Sequence, residues 1–565
     1  MAVVETNPNK NPISRFFLGS HKPDVWTWIA LGIFALFLIF LVYPMWGVLR
    51  NSVVGPDGFT LDNFAKFFER SYYFGTIKNS VVVSLAVTGV SLLIGIPFSY
   101  FYTYYKIRGA KMLFIGAILS AMSAPFIGAY AWILLMGRKG VLTEFLESVL
   151  PIQVGSIYGF GGILLVLSLK LFPLVSVFMN GAFRSIDASL IEAASLMGST
   201  RLKRFFQISI MLSMPTILAA ALLVFMRAFA DFGTPLLIGE GYRTFTVEIY
   251  NQYLGEVGQD HNFAAAIAVI AIIVTALVFL LQKWATGKFK FTLQSSRQIE
   301  KKRPKGIGGF FIYLYCYVLV ALAFLPQLYI VYLSFRKSSQ VMFLPGYSLD
   351  NYRLAADRLL GRSIVNTLVL GGIALAIIIL ISILLAYLVV RRSSVFHNVI
   401  DTLSMAPYIM PGAVIGIALV VAFNRKPLAL TGTIAILVIA LVIRRMPYTI
   451  RSATATLMHI PVSIEEAARS LGASKLKTFF RITTPMMSAG IVSGALLSFV
   501  AIVTEMSSAI ILYNNKTITL TMSAYVAISR GNYGLATAFS AILTVLTGVI
   551  VAIYLMITKE EDVKV

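Results

Sequence analysis

Twelve apolar stretches, each long enough to cross a bilayer, leave this chain little choice of fold. They run roughly over 26–49, 78–104, 112–136, 160–180, 208–230, 263–282, 311–334, 365–390, 398–422, 431–449, 486–505 and 534–557. A helix needs about 20 apolar residues to span the hydrocarbon core, so the expected fold is an all-α polytopic membrane protein. Composition agrees. Hydrophobic residues make up 58% and charged residues 13% of the 565, and mean hydropathy is +0.83; soluble domains carry about 25% charged residues. The first stretch is too long for the apolar region of a signal peptide and lacks a small-residue cleavage site, so it reads as a retained span.

The net charge of +23 would suggest nucleic acid in a soluble protein. Here the bases cluster in short loops between apolar runs, as expected where they set topology, and no nucleic-acid-binding motif is present. Lys10, Arg15 and Lys22 precede the first span; Lys106, Arg108 and Lys111 follow the second; Arg184, Arg201, Lys203 and Arg204 follow the fourth; Arg391 and Arg392 follow the eighth. Alternating spans put all of these on the cytoplasmic side, together with both termini. Loops on the other side mix signs, as in Asp57, Asp62, Glu69 and Arg70. The single cysteine, Cys316, excludes an intrachain disulfide and a cysteine metal cluster, and the four histidines are scattered without ligand spacing.

The polar stretch Glu466–Pro485, EAARSLGASKLKTFFRITTP, has a twin 274 residues upstream that begins EAASLMGSTRLKRFFQISI at Glu192. The duplication extends further. Phe59-Thr-Leu-Asp-Asn-Phe64 matches Tyr347-Ser-Leu-Asp-Asn-Tyr352, Leu171-Phe-Pro173 matches Arg445-Met-Pro447, and Asp231 matches Glu505. Each half carries six spans, an even number, so the repeats are expected to run in the same direction. The expected organisation is a tail at 1–25, a first domain at 26–282, a basic linker at 283–305, a second domain at 306–558 and a tail at 559–565.

Within each copy, Glu192-Ala193-Ala194 and Glu466-Ala467-Ala468 sit among helix formers. Gly198 and Gly472 follow, as glycines do where a helix ends in the left-handed conformation. Ser199 or Thr200, and Ser474, can cap a second helix. Each loop is therefore expected to be a short helix, a glycine break and a helix entering the membrane. The paired alanines would present a small face to another protein.

This pattern resembles the signature loop of the membrane subunits of binding-protein-dependent ABC importers. The second copy carries it nearly whole, in Glu466, Ala467, Ala468, Gly472, Ala473, Ser474, Phe479, Ile482 and Pro485; the first has Met211 where the proline would be, and Pro215 four residues later. That shift leaves the entry angle of the first copy's helix open. The resemblance implies two fused permease domains in the bacterial inner membrane, with Glu192, Ala193, Ala194, Gly198, Glu466, Ala467, Ala468 and Gly472 docking on an ATP-binding partner. The chain has no phosphate loop of the GxxxxGK[S/T] type, so ATP and Mg would be used by a separate subunit, present in two copies. An extracytoplasmic substrate-binding protein would be the other partner, and the chain itself would bind no cofactor.

Two repeat-equivalent pairs of charges fall within or beside spans, with Arg445 adjoining one of them; charge there is costly and usually functional. Lys170 and Arg444 are repeat-equivalent and read either as snorkelling side chains or as a gate or anion contact. Asp231 and Glu505 read either as transient oxygen ligands for a hard cation or as structural partners and caps. The stretch TEMSSAIILYNNKTITL, Thr504 to Leu520, resembles the ferric-iron branch of the importer family, which implies iron(III) as cargo. Thiamine and phosphonate importers share the fused architecture and are the alternatives. An ion-coupled secondary transporter would leave the paired loops unexplained.

Overall fold

The computed structural model describes residues 24–55, 58–149, 155–255, 259–288, 300–392 and 394–557. Of the expected tails only residues 24 and 25 are described, and residues 289–299 of the basic linker lie outside the described residues. What is described is almost wholly helical, plus two two-stranded pairings that each follow the first span of a repeat. A bilayer imposes this, because a helix satisfies its backbone hydrogen bonds within itself.

The twelve expected stretches reappear in three forms. Seven are continuous apolar helices: Val25–Ser52, Ser71–Tyr104, Phe160–Arg184, His261–Leu281, Gly306–Ser334, Leu360–Arg391 and Tyr533–Ile557. Four are bent pairs rather than single rods. One, Ile434–Met458, is a 25-residue helix that is not among the apolar spans and carries Arg444, Arg445 and Arg451.

The bends have local causes. Ala110–Met122 turns into the helix beginning at Pro125–Phe126 through 102°, and Val395–Ile409 turns into Gly412–Phe423 through 113°. Proline disfavours the helical conformation in the residue before it. Ala124, before Pro125, is extended with ψ 132°, and Met410, before Pro411, is extended with ψ 135°. The other two pairs bend by 73° at Arg201–Ile210 with Met214–Phe229, and by 69° at Lys475–Met486 with Ser488–Val503. Both contain a π-helical segment, Phe205–Ile210 and Phe479–Thr483. The displaced proline thus leaves the entry angle nearly unchanged. Pro215 occupies the first turn of Met214–Phe229, where the missing N–H has no intrahelical partner to lose, and Pro485 lies near the end of Lys475–Met486, just after its π-helical turn.

Two compact units form, and they cut across the repeat boundaries. Of the described residues, one takes those within 24–54, 359–523 and 549–557, and the other those within 55–358 and 524–548. The first span of each repeat therefore packs with the spans of the other repeat. In the first unit, Phe34 of the opening span meets Phe396 at 5.1 Å and Phe40 meets Phe423 at 5.7 Å, edge-on or tilted. In the second unit, Tyr315 of Gly306–Ser334 donates to the Ile94 carbonyl at 2.6 Å, and Tyr317 donates to the Arg108 carbonyl at 2.7 Å.

The core of the second unit is the pair Ser71–Tyr104 and Phe160–Arg184. Phe98 packs edge-on against Phe172, Ser99 donates to the Ser176 carbonyl at 2.9 Å and Thr103 to Asn180 at 2.8 Å. A Cβ on Gly95 would lie 2.8 Å from Val175, so only glycine allows this approach. Its counterpart in the first unit pairs Leu360–Arg391 with Ile434–Met458 around Ile378, Leu385, Ile443 and Ile450.

Candidate functional site

Both copies of the duplicated loop fold alike. Ala188–Leu196 and Val462–Ser470 are nine-residue helices. Each ends in a left-handed glycine, Gly198 at φ +79° and Gly472 at φ +87°, a conformation that costs other residues about 1–2 kcal/mol. Beyond the glycine, Ser199 N donates to the Ala194 carbonyl at 3.0 Å and Ala473 N to the Ala468 carbonyl at 3.1 Å. These bonds satisfy carbonyls that the helix end would leave open. Thr200 and Ser474 then cap the following turn, accepting from Lys203 N and Lys477 N, both at 3.3 Å.

The loop tips are exposed and apolar. Leu196 and Met197 are 89% and 88% exposed in the first, and Leu471 is 90% exposed in the second. Glu192, Ala193, Gly198, Glu466, Ala467 and Gly472 are exposed as well. The second alanine of each pair is not. Ala194 is half-buried and Ala468 is buried, so the pair does not form one flat outward face. A nine-residue helix lying on its own chain must turn one side inward, and the second alanine lies on that side.

What holds each loop was not read from the sequence. In the second, Glu465 is buried and accepts from Arg391 Nε at 2.8 Å and from the Tyr387 hydroxyl at 3.2 Å. Arg391 Nη2 also donates to the Ile460 carbonyl at 2.7 Å. Tyr387 and Phe479 meet edge-on at 5.0 Å, and Trp26 packs on both, at 4.3 and 4.9 Å. In the first loop, Tyr100 meets Phe205 edge-on at 4.9 Å, Tyr104 packs 5.8 Å from Phe183, and the Tyr104 hydroxyl donates to the Phe183 carbonyl at 3.3 Å. The Phe-Phe spacing was the one available signal, since its first member is the ring used in both copies.

Asp24 adds a clasp to the second loop. It caps the opening span by accepting from Trp26 N at 3.1 Å, and also accepts from Arg392 Nη1 at 2.7 Å and Lys475 Nζ at 2.9 Å. Burial alone would raise its carboxyl pKa, but the hydrogen bonds and charges of Lys475 and Arg392 outweigh that and hold it below its ordinary value.

The intramembrane charges resolve differently from their separate readings. Arg444 and Arg445 both ion-pair with the buried Glu505. Glu505 Oε1 also accepts from Ser508 N at 3.0 Å and Ser508 Oγ at 3.1 Å. Its repeat partner Asp231 accepts from Thr234 N at 2.9 Å. Both carboxylates therefore cap the loop that follows them. In this structure Glu505 fills the structural-partner-and-cap reading, with Oε1 accepting from Arg444 and Ser508 and Oε2 from Arg445. Among the described residues, no group of three or more His, Cys, Asp or Glu could hold a metal ion. Lys170 and Asp231 lie half-buried in the other unit.

Set against known proteins, residues 16–290 and 378–559 match the family model described as binding-protein-dependent transport system inner membrane component. A ferric transport system permease protein, FbpB, of Actinobacillus pleuropneumoniae is 29% identical over 534 residues, covering 93% of this chain and 77% of that protein. The Fe(3+)-transport system permease protein FbpB 2 of Haemophilus influenzae is 21% identical over 524 residues, covering 92% of this chain and 96% of that protein. A crystal structure of a bacterial ABC transporter involved in the import of the acidic polysaccharide alginate aligns with 46% of this chain and 95% of its own at 20% identity, with a TM-score of 0.37.

Proposed function

The chain belongs to the family of binding-protein-dependent transport system inner membrane components, and from that premise we propose that its two exposed loops are the docking points for ATP-binding subunits. It is the membrane permease of an ABC importer, and its relatives are transport permeases. The carrying observation is the pair of loops with one geometry, each ending in a left-handed glycine beside an exposed apolar tip. Exposed leucine and methionine at such a tip gain most by burial against another protein. Glu192, Ala193, Gly198, Glu466, Ala467 and Gly472 surround the contact, while Ala194 and Ala468 seat the helices.

In this reading the loops face the cytoplasm, as the positive-inside bias requires, and one ATP-binding subunit meets each loop. ATP and Mg act on those subunits. Closure of the subunits moves the loops and shifts the balance between two states of the spans. An extracytoplasmic binding protein delivers the solute from the opposite side. The ferric transport names of the relatives support iron(III) as cargo.

The test replaces the tips. Leu471→Asp with Leu196→Asp is expected to leave the purified chain folded while abolishing co-purification of the ATP-binding subunit and ATP-dependent iron uptake in proteoliposomes. Uptake that persists without any ATP-binding subunit would overturn the importer reading in favour of an ion-coupled transporter.

A further inference from the structure

The ends of the two repeats that point away from the duplicated loops share one frame but carry charge differently. In the first repeat, Asn79 donates to the Arg243 carbonyl at 3.1 Å, and Ser80 accepts from Phe245 N at 3.0 Å. In the second, Asn366 donates to the Lys516 and Ile518 carbonyls at 2.8 and 2.9 Å, and Thr367 accepts from Leu520 N at 2.9 Å. The second frame gathers three loops. Arg362 donates to the Asn515 carbonyl at 3.4 Å, and Asn514 donates to the Gly432 carbonyl at 2.6 Å. The helices Leu360–Arg391 and Ile434–Met458 both begin at this end and run to the duplicated loop, where Arg391 meets Glu465 and the Ile460 carbonyl. This end is therefore the outer one.

Residues 359–367, 424–433 and 513–519 form these loops. They hold Arg362, Arg425, Lys426 and Lys516, all exposed, and no aspartate or glutamate. None of the four forms an ion pair among the described residues. Topology does not explain them, because the positive-inside bias favours bases at the opposite end. Folding does not explain them either. At the positions of Arg362 and Lys516 the first repeat builds the same frame with Gly75 and Tyr242. At the outer end of the second unit, by contrast, bases meet acids: Lys66 pairs with Asp260, Arg138 with Glu240 and Arg353 with Asp350. Glu240 stands where the second repeat has Asn514.

We propose that the outer end of the first unit docks an acidic face of the extracytoplasmic binding protein, with Arg362, Arg425, Lys426 and Lys516 as its anchors. Unpaired bases of one sign attract an acidic protein surface and fix its orientation. The second unit, with its charges paired, exerts no such pull, so electrostatic recognition falls on one unit. These loops lack the exposed tryptophan or tyrosine of a surface seated among lipid headgroups; their one aromatic residue, Tyr513, is half-buried. The inference rests on the importer reading above and adds which unit is recognised and by what charge.

The experiment uses the full chain with its ATP-binding subunits in nanodiscs of neutral phosphatidylcholine, and iron-loaded binding protein as the probe. Its affinity is expected to fall about tenfold between about 50 and 200 mM salt, as the bases are screened. Arg425→Glu with Lys426→Glu is expected to weaken binding about 100-fold and to abolish the salt dependence. Lys139→Glu with Lys337→Glu, at exposed bases of the second unit, changes the net charge equally and is expected to leave the affinity within about threefold. Co-purification of the ATP-binding subunit reports assembly of both variants.

Equal loss in the two variants, or loss in neither, overturns the proposal and leaves the importer reading standing. If Arg425→Glu with Lys426→Glu lowers only the phosphatidylglycerol retained from anionic nanodiscs, the bases hold lipid and the proposal falls. An unmodified chain that associates with its ATP-binding subunits and yet binds no binding protein, loaded or empty, overturns the importer reading as well.

Discussion

The two duplicated loops reach one backbone geometry by different chemistry. The second is held by an ion pair between Glu465 and Arg391, whose side chains are 3% and 9% exposed. At the matching positions the first loop has Ile191 and Tyr104, and rings hold it instead, with Tyr104 against Phe183 and Tyr100 against Phe205. One contact is common to both: a tyrosine near the end of the preceding long helix meets the first phenylalanine of the Phe-Phe pair, at 4.9 Å in one copy and 5.0 Å in the other. The shared contact positions the loop. The variable one determines how it fails, because a broken buried ion pair leaves an uncompensated charge and a lost ring leaves only a cavity.

The largest expected effect tests that distinction. Arg391→Ala leaves Glu465 only the Tyr387 hydroxyl at 3.2 Å and the more exposed Arg469 at 4.0 Å, and is expected to cost up to about 3–5 kcal/mol, read as a lower melting temperature of the purified chain. Transplanting the other loop's residues, Arg391→Tyr with Glu465→Ile, is expected to recover most of the loss. A double variant that melts as low as the single one would show that the two fastenings are not interchangeable.

The glycines should behave alike in spite of the different fastenings. No atom lies within 4 Å of a Cβ built on Gly198 or Gly472, so substitution strains only the backbone. Gly198→Val and Gly472→Val are each expected to cost about 1–2 kcal/mol, by the same melting measurement. Markedly unequal costs would mean that one loop is strained where the other is not.

The smallest effect is in acid and belongs to the second loop alone. Asp24 has a folded pKa below its ordinary value of 3.8, so the unfolded chain takes up its proton first. The stabilisation is complete above that ordinary value and is lost as the pH falls through the lower, folded one. Asp24→Asn is expected to flatten this part of the melting profile. A variant whose profile still follows the wild type would remove Asp24 from the clasp.

Much of the fold was legible because the bilayer makes length and apolarity sufficient signals for a helix. All twelve stretches recur as helical elements, and Gly198, Gly472, Thr200 and Ser474 occupy the breaks and caps that their chemistry favours. The bends were less legible. Pro125 and Pro411 mark two of them, but an apolar run containing a proline can stay straight when its freed carbonyl finds another partner. Glu465 was hidden by its neighbour. Beside the exposed Glu466 it reads as one more surface carboxylate, and only the helix's seating turns it inward.

The sequence by itself determined that this chain is a helical membrane protein, built twice over, with two matching polar loops. Those properties follow from local composition and from a repeat that any two stretches of the chain can be compared to find. Only the tertiary structure decided which spans share a core, and which charge pairs with which. An apolar helix surface fits many grooves, so nothing in Val25–Ser52 announces that it packs with the second repeat. Nothing in Arg444, Arg445 and Glu505, some 60 residues apart in the chain, says that one carboxylate will face two guanidinium groups.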